Sequence, residues 1–122
     1  MAQRSPTTTK QIGDAGEAQA LCYLTAQGLR VLARNFRVKG GEIDIVCSDG
    51  KSTVFVEVRR RNARAGADFG GAAWSITPTK QRRLILAARH WLVRHGEGDC
   101  RFDCVLIDGD TLEWIKNAFS AD

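Results

Sequence analysis

Two acidic residues thirteen positions apart, Asp44 and Glu57, stand in neighbouring β-rich stretches, GEIDIVCS at 41–48 and TVFVEVRR at 53–60. A basic residue, Arg59, follows Glu57 after one valine. Alternate side chains of a strand share a face, which predicts Glu42, Asp44 and Val46 on one side of the first stretch, with Ile43 and Ile45 opposite. On the second, Phe55, Glu57 and Arg59 share a side, and Val54, Val56 and Val58 form the core face. Asp49-Gly50 between the runs reads as a tight hairpin turn. Pairing Ser48 with Lys51 then sets Asp44 opposite Phe55 and Glu57 opposite Glu42. Asp44 and Glu57 become diagonal neighbours about 7 Å apart, near enough to reach one cation. Oxygen ligands of this kind suit a hard ion, Mg2+ or Mn2+. Glu42 opposite Glu57 calls for a counter-charge, from such an ion or from Arg59. The same residues also fit a plainer arrangement, a solvated edge or a structural ion pair.

The elements that must position these side chains are legible from spacing. Ile12, Ala15, Ala18, Cys22 and Leu24 recur at roughly helical intervals from Lys10 to about Gln27, and Gly28 stops the run. Residues 29–37 read as a strand before the turn at Lys39-Gly40-Gly41. Residues 61–73, rich in Gly, Ala and Arg, predict a mobile connection. Thr77-Pro78 supplies an N-cap and a first-turn proline. The helix so begun runs to His95 and stops at Gly96, its apolar stripe being Leu84, Ile85, Ala88, Trp91 and Leu92. Residues 100–108 and 111–115 read as strands around Gly109. The expected fold is α/β, a mixed sheet flanked by helices in the order αβββαβ(β). One domain spans 10–119 after a disordered tail at 1–9.

Eighteen Lys and Arg against fourteen Asp and Glu give a net charge of +4, which leans toward a polyanionic partner. Basic residues gather at Arg59, Arg60, Arg61 and Arg64 and again at Lys80, Arg82 and Arg83, flanking the acids where a phosphate backbone would lie. Trp74 stands where it could stack on a base, whereas Trp91 and Trp114 suit the core. No apolar run is long enough for a membrane span, and MAQRSPTTTK lacks the h-region of a signal peptide. The four cysteines, at 22, 47, 100 and 104, contain no CxxC pair; reduced, buried thiols of a cytoplasmic protein are expected. Gly50-Lys51-Ser52 is no phosphate loop, because the motif needs Gly where Ile45 stands. His90 and His95, five apart on a helix, fall on different faces and make poor joint ligands.

Asp44, Glu57 and a basic residue two positions on, with the Glu strand apolar on its other face, resemble the signature of PD-(D/E)xK nucleases. The wider pattern resembles the bacterial YraN-like family (uncharacterised protein family 0102): Gly13-Asp14-Ala15-Gly16-Glu17, Arg34-Asn35, GEIDIV at 41–46, VFVEVRRR at 54–61, Phe69-Gly70, Lys80 with Arg83-Leu84, and Arg101-Phe102-Asp103. It is also similar to archaeal Holliday-junction resolvases. The resemblance implies a restriction-endonuclease-like core and metal-dependent hydrolysis of DNA phosphodiesters, at branched or otherwise structured sites among others. It implies that Asp44, Glu57 and Glu17 hold Mg2+ or Mn2+, that Arg59 takes the place of the motif's lysine, and that Glu42 supports them from behind. Arg60, Arg61, Arg64, Lys80 and Arg83 would contact nucleic acid, DNA rather than RNA. Glu17 on its own reads as an exposed helix residue. Arg59 keeps the motif's charge but not its proton exchange, since guanidinium stays protonated to above about pH 12. A binding module whose nuclease core has lost turnover is therefore the alternative. Symmetric incision of a junction needs two sites, which leaves a homodimer open. Asp103 is expected to be structural, paired with an arginine.

Overall fold

In the computed structural model, which describes residues 9–61 and 76–121 and the side chains of 16–60 and 76–121, the chain runs α1 (Thr9–Ala26), β1 (Arg30–Val38), β2 (Gly41–Ser48), β3 (Thr53–Arg61), α2 (Pro78–His95), β4 (Cys100–Asp108) and β5 (Thr111–Phe119). The expected tail lies outside the described residues except for Thr9, which opens α1. The expected mobile connection and Trp74 lie outside them too, apart from the backbone of Arg61. The strands form one sheet in sequential order β1-β2-β3-β4-β5. Only β3 and β4 are parallel, because the segment carrying α2 crosses over between them. This is the expected mixed sheet and element order, with β5 reaching Phe119 rather than Ile115.

Helix α2 has the caps its sequence called for. The Thr77 hydroxyl accepts the Lys80 N–H at 3.1 Å, and Gly96, at φ 108°, donates its N–H to the Leu92 carbonyl at 2.8 Å. The helix buries Leu84, Ala87, Ala88 and Trp91 on a layer that includes Ile43, Val46, Phe55 and Phe102. On the other side of the sheet, α1 sets Ala20 and Leu24 against Ile45, Val54, Val56 and Val105. Both faces of the central strands are thus core, Phe55 as fully as its valine neighbours. The stripe of α1 is rotated from the expected one: Ala18 and Cys22 are exposed. Gly and Ala carry little periodic signal, yet Gly16 and Ala20 are the small residues turned to the sheet. The thiols also divide, Cys47 and Cys104 buried but Cys22 and Cys100 exposed, all four free.

The β2–β3 connection departs from the tight turn. The register pairs Ser48 with Thr53 and Ile45 with Val56, two positions away from the expected pairing. Asp49 is the cause. Its Oδ1 accepts the N–H groups of Lys51 (2.9 Å) and Ser52 (2.7 Å), which closes a four-residue loop. Continued by one residue, the observed register sets Asp44 opposite Glu57 rather than Phe55. Strict alternation fails as well. Ile43 and Val46 share the α2-side layer while Ile45 and Cys47 belong to the α1-side layer. The phase of β2 slips beside Asp44, and the facing residue of β1, Asn35, holds a left-handed φ of 53°.

Candidate functional site

Among the described residues the β2–β3 ladder ends at Ile45–Val56, and the site lies in the fork beyond it. Asp44, at the phase slip, places its Oδ2 2.8 Å from the Val58 N–H, so a side chain satisfies a backbone donor at the point where strand pairing stops. Glu57, 5% exposed, follows Val56 on the α2 side. Lys80, in the first turn of α2, brings its Nζ to 3.2 Å from Glu57 Oε2. Glu17 of α1 lies 3.8 Å from an Arg34 nitrogen, and Glu42 lies 3.5 Å from Arg37 Nε.

Glu17, Glu42, Asp44 and Glu57 line one hollow of about 220 Å3, together with Arg60 and Lys80, on a floor that includes Gly16 and Val58. Glu42, Glu57 and Lys80 also border a second hollow along α2 that takes in Thr77, Thr79 and Arg83. The fork and the start of α2 thus make one acidic groove with a basic margin. All four predicted acids line it, as do Arg60, Lys80 and Arg83. Arg59, half-buried on the other side of Val58 from Glu57, is not among the lining residues. The side chains of Arg61 and Arg64 lie outside the described residues. Sequence reasoning placed Lys80 among nucleic-acid contacts and missed its contact with Glu57. The available signal was the Thr77-Pro78 start, which puts Lys80 in the helix's first turn.

Crowding of negative charge gives this fork its electrostatics. Burial, and then the charge of Glu57, push the Asp44 carboxyl up to about 7, helped by a hydrogen bond with Glu57 and by Glu42, and opposed by the Val58 N–H. The buried Asp44 carboxyl, with a second acid beside it, is short of compensating positive charge. Two oxygen donors in that state fit a hard divalent cation. Among the described residues, however, no three His, Cys, Asp or Glu side chains stand together closely enough to hold a metal ion. Asp44 and Glu57 are the joined pair, with Glu17 on the wall.

Asp103 lies apart from this groove. Its buried carboxylate accepts Arg101 Nε at 3.0 and 3.2 Å, Trp114 Nε1 at 2.9 Å and the Asn117 N–H at 3.0 Å. Arg101 also reaches Asp49 at 2.7 Å. Its role is structural, as expected, and it ties the β2–β3 loop to the closing hairpin.

This five-stranded mixed sheet between two helices, with paired acids in a strand fork, has the restriction-endonuclease-like fold. It is similar to the structure of Hjc, a Holliday junction resolvase of Archaeoglobus fulgidus, with a TM-score of 0.52 and 15% identity over 84% of this chain and 75% of that one. The chain belongs to the uncharacterised protein family UPF0102, whose family model matches residues 16–107. The UPF0102 protein of Dechloromonas aromatica (strain RCB) is 56% identical over 122 residues, all of this chain and 99% of that protein. The UPF0102 protein YraN of Escherichia coli (strain SMS-3-5 / SECEC) is 51% identical over 117 residues, 93% of this chain and 87% of that protein. The family resemblance seen in the sequence is therefore borne out. Among the described residues no helix is long and apolar enough to cross a membrane.

Proposed function

We propose that the protein is a metal-dependent nuclease that hydrolyses DNA phosphodiester bonds, with branched or otherwise structured DNA as its substrate class. The observation that carries this reading is the Asp44–Glu57 pair, brought together at the strand fork, where burial and then the charge of Glu57 lift Asp44 to about 7. Asp44 and Glu57 would hold Mg2+ or Mn2+, and Glu17 would add a ligand or orient a water. When bound, the ion supplies a water of lowered pKa and a counter-charge for the phosphate. The Val58 N–H holds the Asp44 carboxylate in one orientation, and Glu42 supports the pair from the outer wall. Arg59 would stabilise negative charge developing on the phosphate. Arg60, Arg61, Arg64, Lys80 and Arg83 would receive the DNA backbone. Branched DNA is preferred because the similar fold belongs to a Holliday junction resolvase.

The test incubates the full chain with linear, single-stranded, flapped and four-way DNA, with and without Mn2+. Mn2+-dependent cleavage is expected, falling about 100-fold or more in Asp44→Ala and Glu57→Ala. Cleavage that survives both substitutions removes this reading. A second reading, a DNA-binding module without turnover, draws on the Glu57-Val58-Arg59 departure from the Glu-x-Lys pattern. Its outcome is salt-sensitive binding with no cleavage, and activity gained in Arg59→Lys would locate the defect.

A further inference from the structure

We propose that Lys80, delivered by α2, is the principal cation that meets the phosphate at this site, ahead of Arg59, filling from a helix the place that the Glu-x-Lys pattern gives to a strand residue. The proposal rests on the nuclease reading above and deepens it. Its Nζ stands 3.2 Å from Glu57 Oε2, and Lys80 borders both hollows of the groove. Arg59 borders neither. The ion pair is also lopsided in its exposure. The Lys80 side chain is 49% exposed and that of Glu57 only 6%, so the amine faces the groove while the acid sits behind it. An ammonium has three donors on a flexible stem. One serves Glu57 and the others remain for a phosphate oxygen.

The backbone under Lys80 is fixed from two directions. The Thr77 cap on its own N–H and Pro78 set where the helix begins. One turn later α2 lies directly on β2: a Cβ on Gly41 would run into the Arg83 carbonyl oxygen, with Ala87 close behind. The strand that carries Asp44 therefore also positions the helix that carries Lys80. Arg60 is the competing cation. It is exposed, and it approaches from the α1 side, where its stem lies over Gly16.

The experiment compares full-length wild type with Lys80→Gln, Arg59→Gln and Arg60→Gln, read by calorimetric titration with Mn2+ and by DNA cleavage. Removing a unit charge this near a metal ligand should tighten Mn2+ binding about fivefold in Lys80→Gln, while its cleavage falls about 100-fold. Arg59→Gln and Arg60→Gln, each removing one positive charge, should lower cleavage by less than Lys80→Gln does, about 10-fold at most. The double variant Lys80→Gln/Arg59→Lys, which returns the cation to the strand, should recover part of the cleavage. Unchanged Mn2+ affinity in Lys80→Gln overturns the proposal, and so does cleavage lost in Arg59→Gln but kept in Lys80→Gln. If wild type cuts none of the DNAs, the Mn2+ comparison decides alone. The nuclease reading fails separately, if Asp44→Asn binds Mn2+ as tightly as wild type.

Discussion

Asp44 is held at a cost to stability that pH should expose. An unfolded Asp titrates near about 3.9, whereas the native carboxyl has been pushed up to about 7. Between those values the native state binds more protons than the unfolded one, so stability falls as pH rises from about 4 to about 7 and levels off above. Urea midpoints measured from pH 5 to pH 8 should fall accordingly. Asp44→Asn should flatten the curve and, at pH 8, stabilise the fold by about 1–2 kcal/mol. Mn2+ should raise the wild-type midpoint but not that of Asp44→Asn. The thiols offer a second check at this scale. Burial pushes Cys47 up to about 11 and Cys104 up to about 12, so neither forms thiolate at ordinary pH. Iodoacetamide at pH 8 should label exposed Cys22 and Cys100 in the native protein. Mass spectrometry should find Cys47 and Cys104 labelled only after unfolding.

Two contacts join elements that meet only in the folded chain. Asp103 collects Arg101, Trp114 and the Asn117 N–H, and its loss would leave the partly buried Arg101 with Asp49 alone and strand two further donors. Asp103→Ala should therefore destabilise by about 2–3 kcal/mol in urea denaturation. Asp49→Ala, at the exposed end of the same chain of contacts, should lower the urea midpoint much less than Asp103→Ala does. The other contact is the apposition of β2 and α2 at Gly41. Gly41→Ala forces the strand start against the Arg83 carbonyl and Ala87, a strain of about 1–3 kcal/mol. Because α2 carries Lys80, this variant should also lose cleavage more steeply than its fall in melting temperature explains. Equal melting temperatures for Gly41→Ala and wild type would show that α2 yields without strain.

Over the whole molecule the net charge of +4 says only that a polyanion is welcome; the groove says where. Arg60, Lys80 and Arg83 stand around it, while the four acids lie between them. DNA binding should weaken linearly in log salt concentration. Lys80→Gln and Arg83→Gln should each lower the slope by about 1, measured by fluorescence anisotropy on four-way DNA. A slope untouched by either substitution would put the phosphate backbone elsewhere on the surface.

Much of this architecture was written in local signals. Thr77-Pro78 and Gly96 fixed both ends of α2, the alternating runs gave β2, β3 and β4 nearly to the residue, and Asp44 and Glu57 stood out by type and spacing, Glu17 only through the family resemblance. Local patterns succeed there because caps, turns and strand alternation are set by neighbours within a few residues. The sequence alone could not show that Asp49 would spend its carboxylate on its own loop and move the register by two. Nor could it show that β2 would change phase beside Asp44, or that small Gly16 and Ala20 would turn to the sheet. Above all, it could not show that Lys80 would come within 3.2 Å of Glu57. That contact is made by tertiary packing: the crossover between β3 and β4 brings α2 down onto Gly41, and long-range contact, unlike periodicity, leaves no mark on adjacent residues.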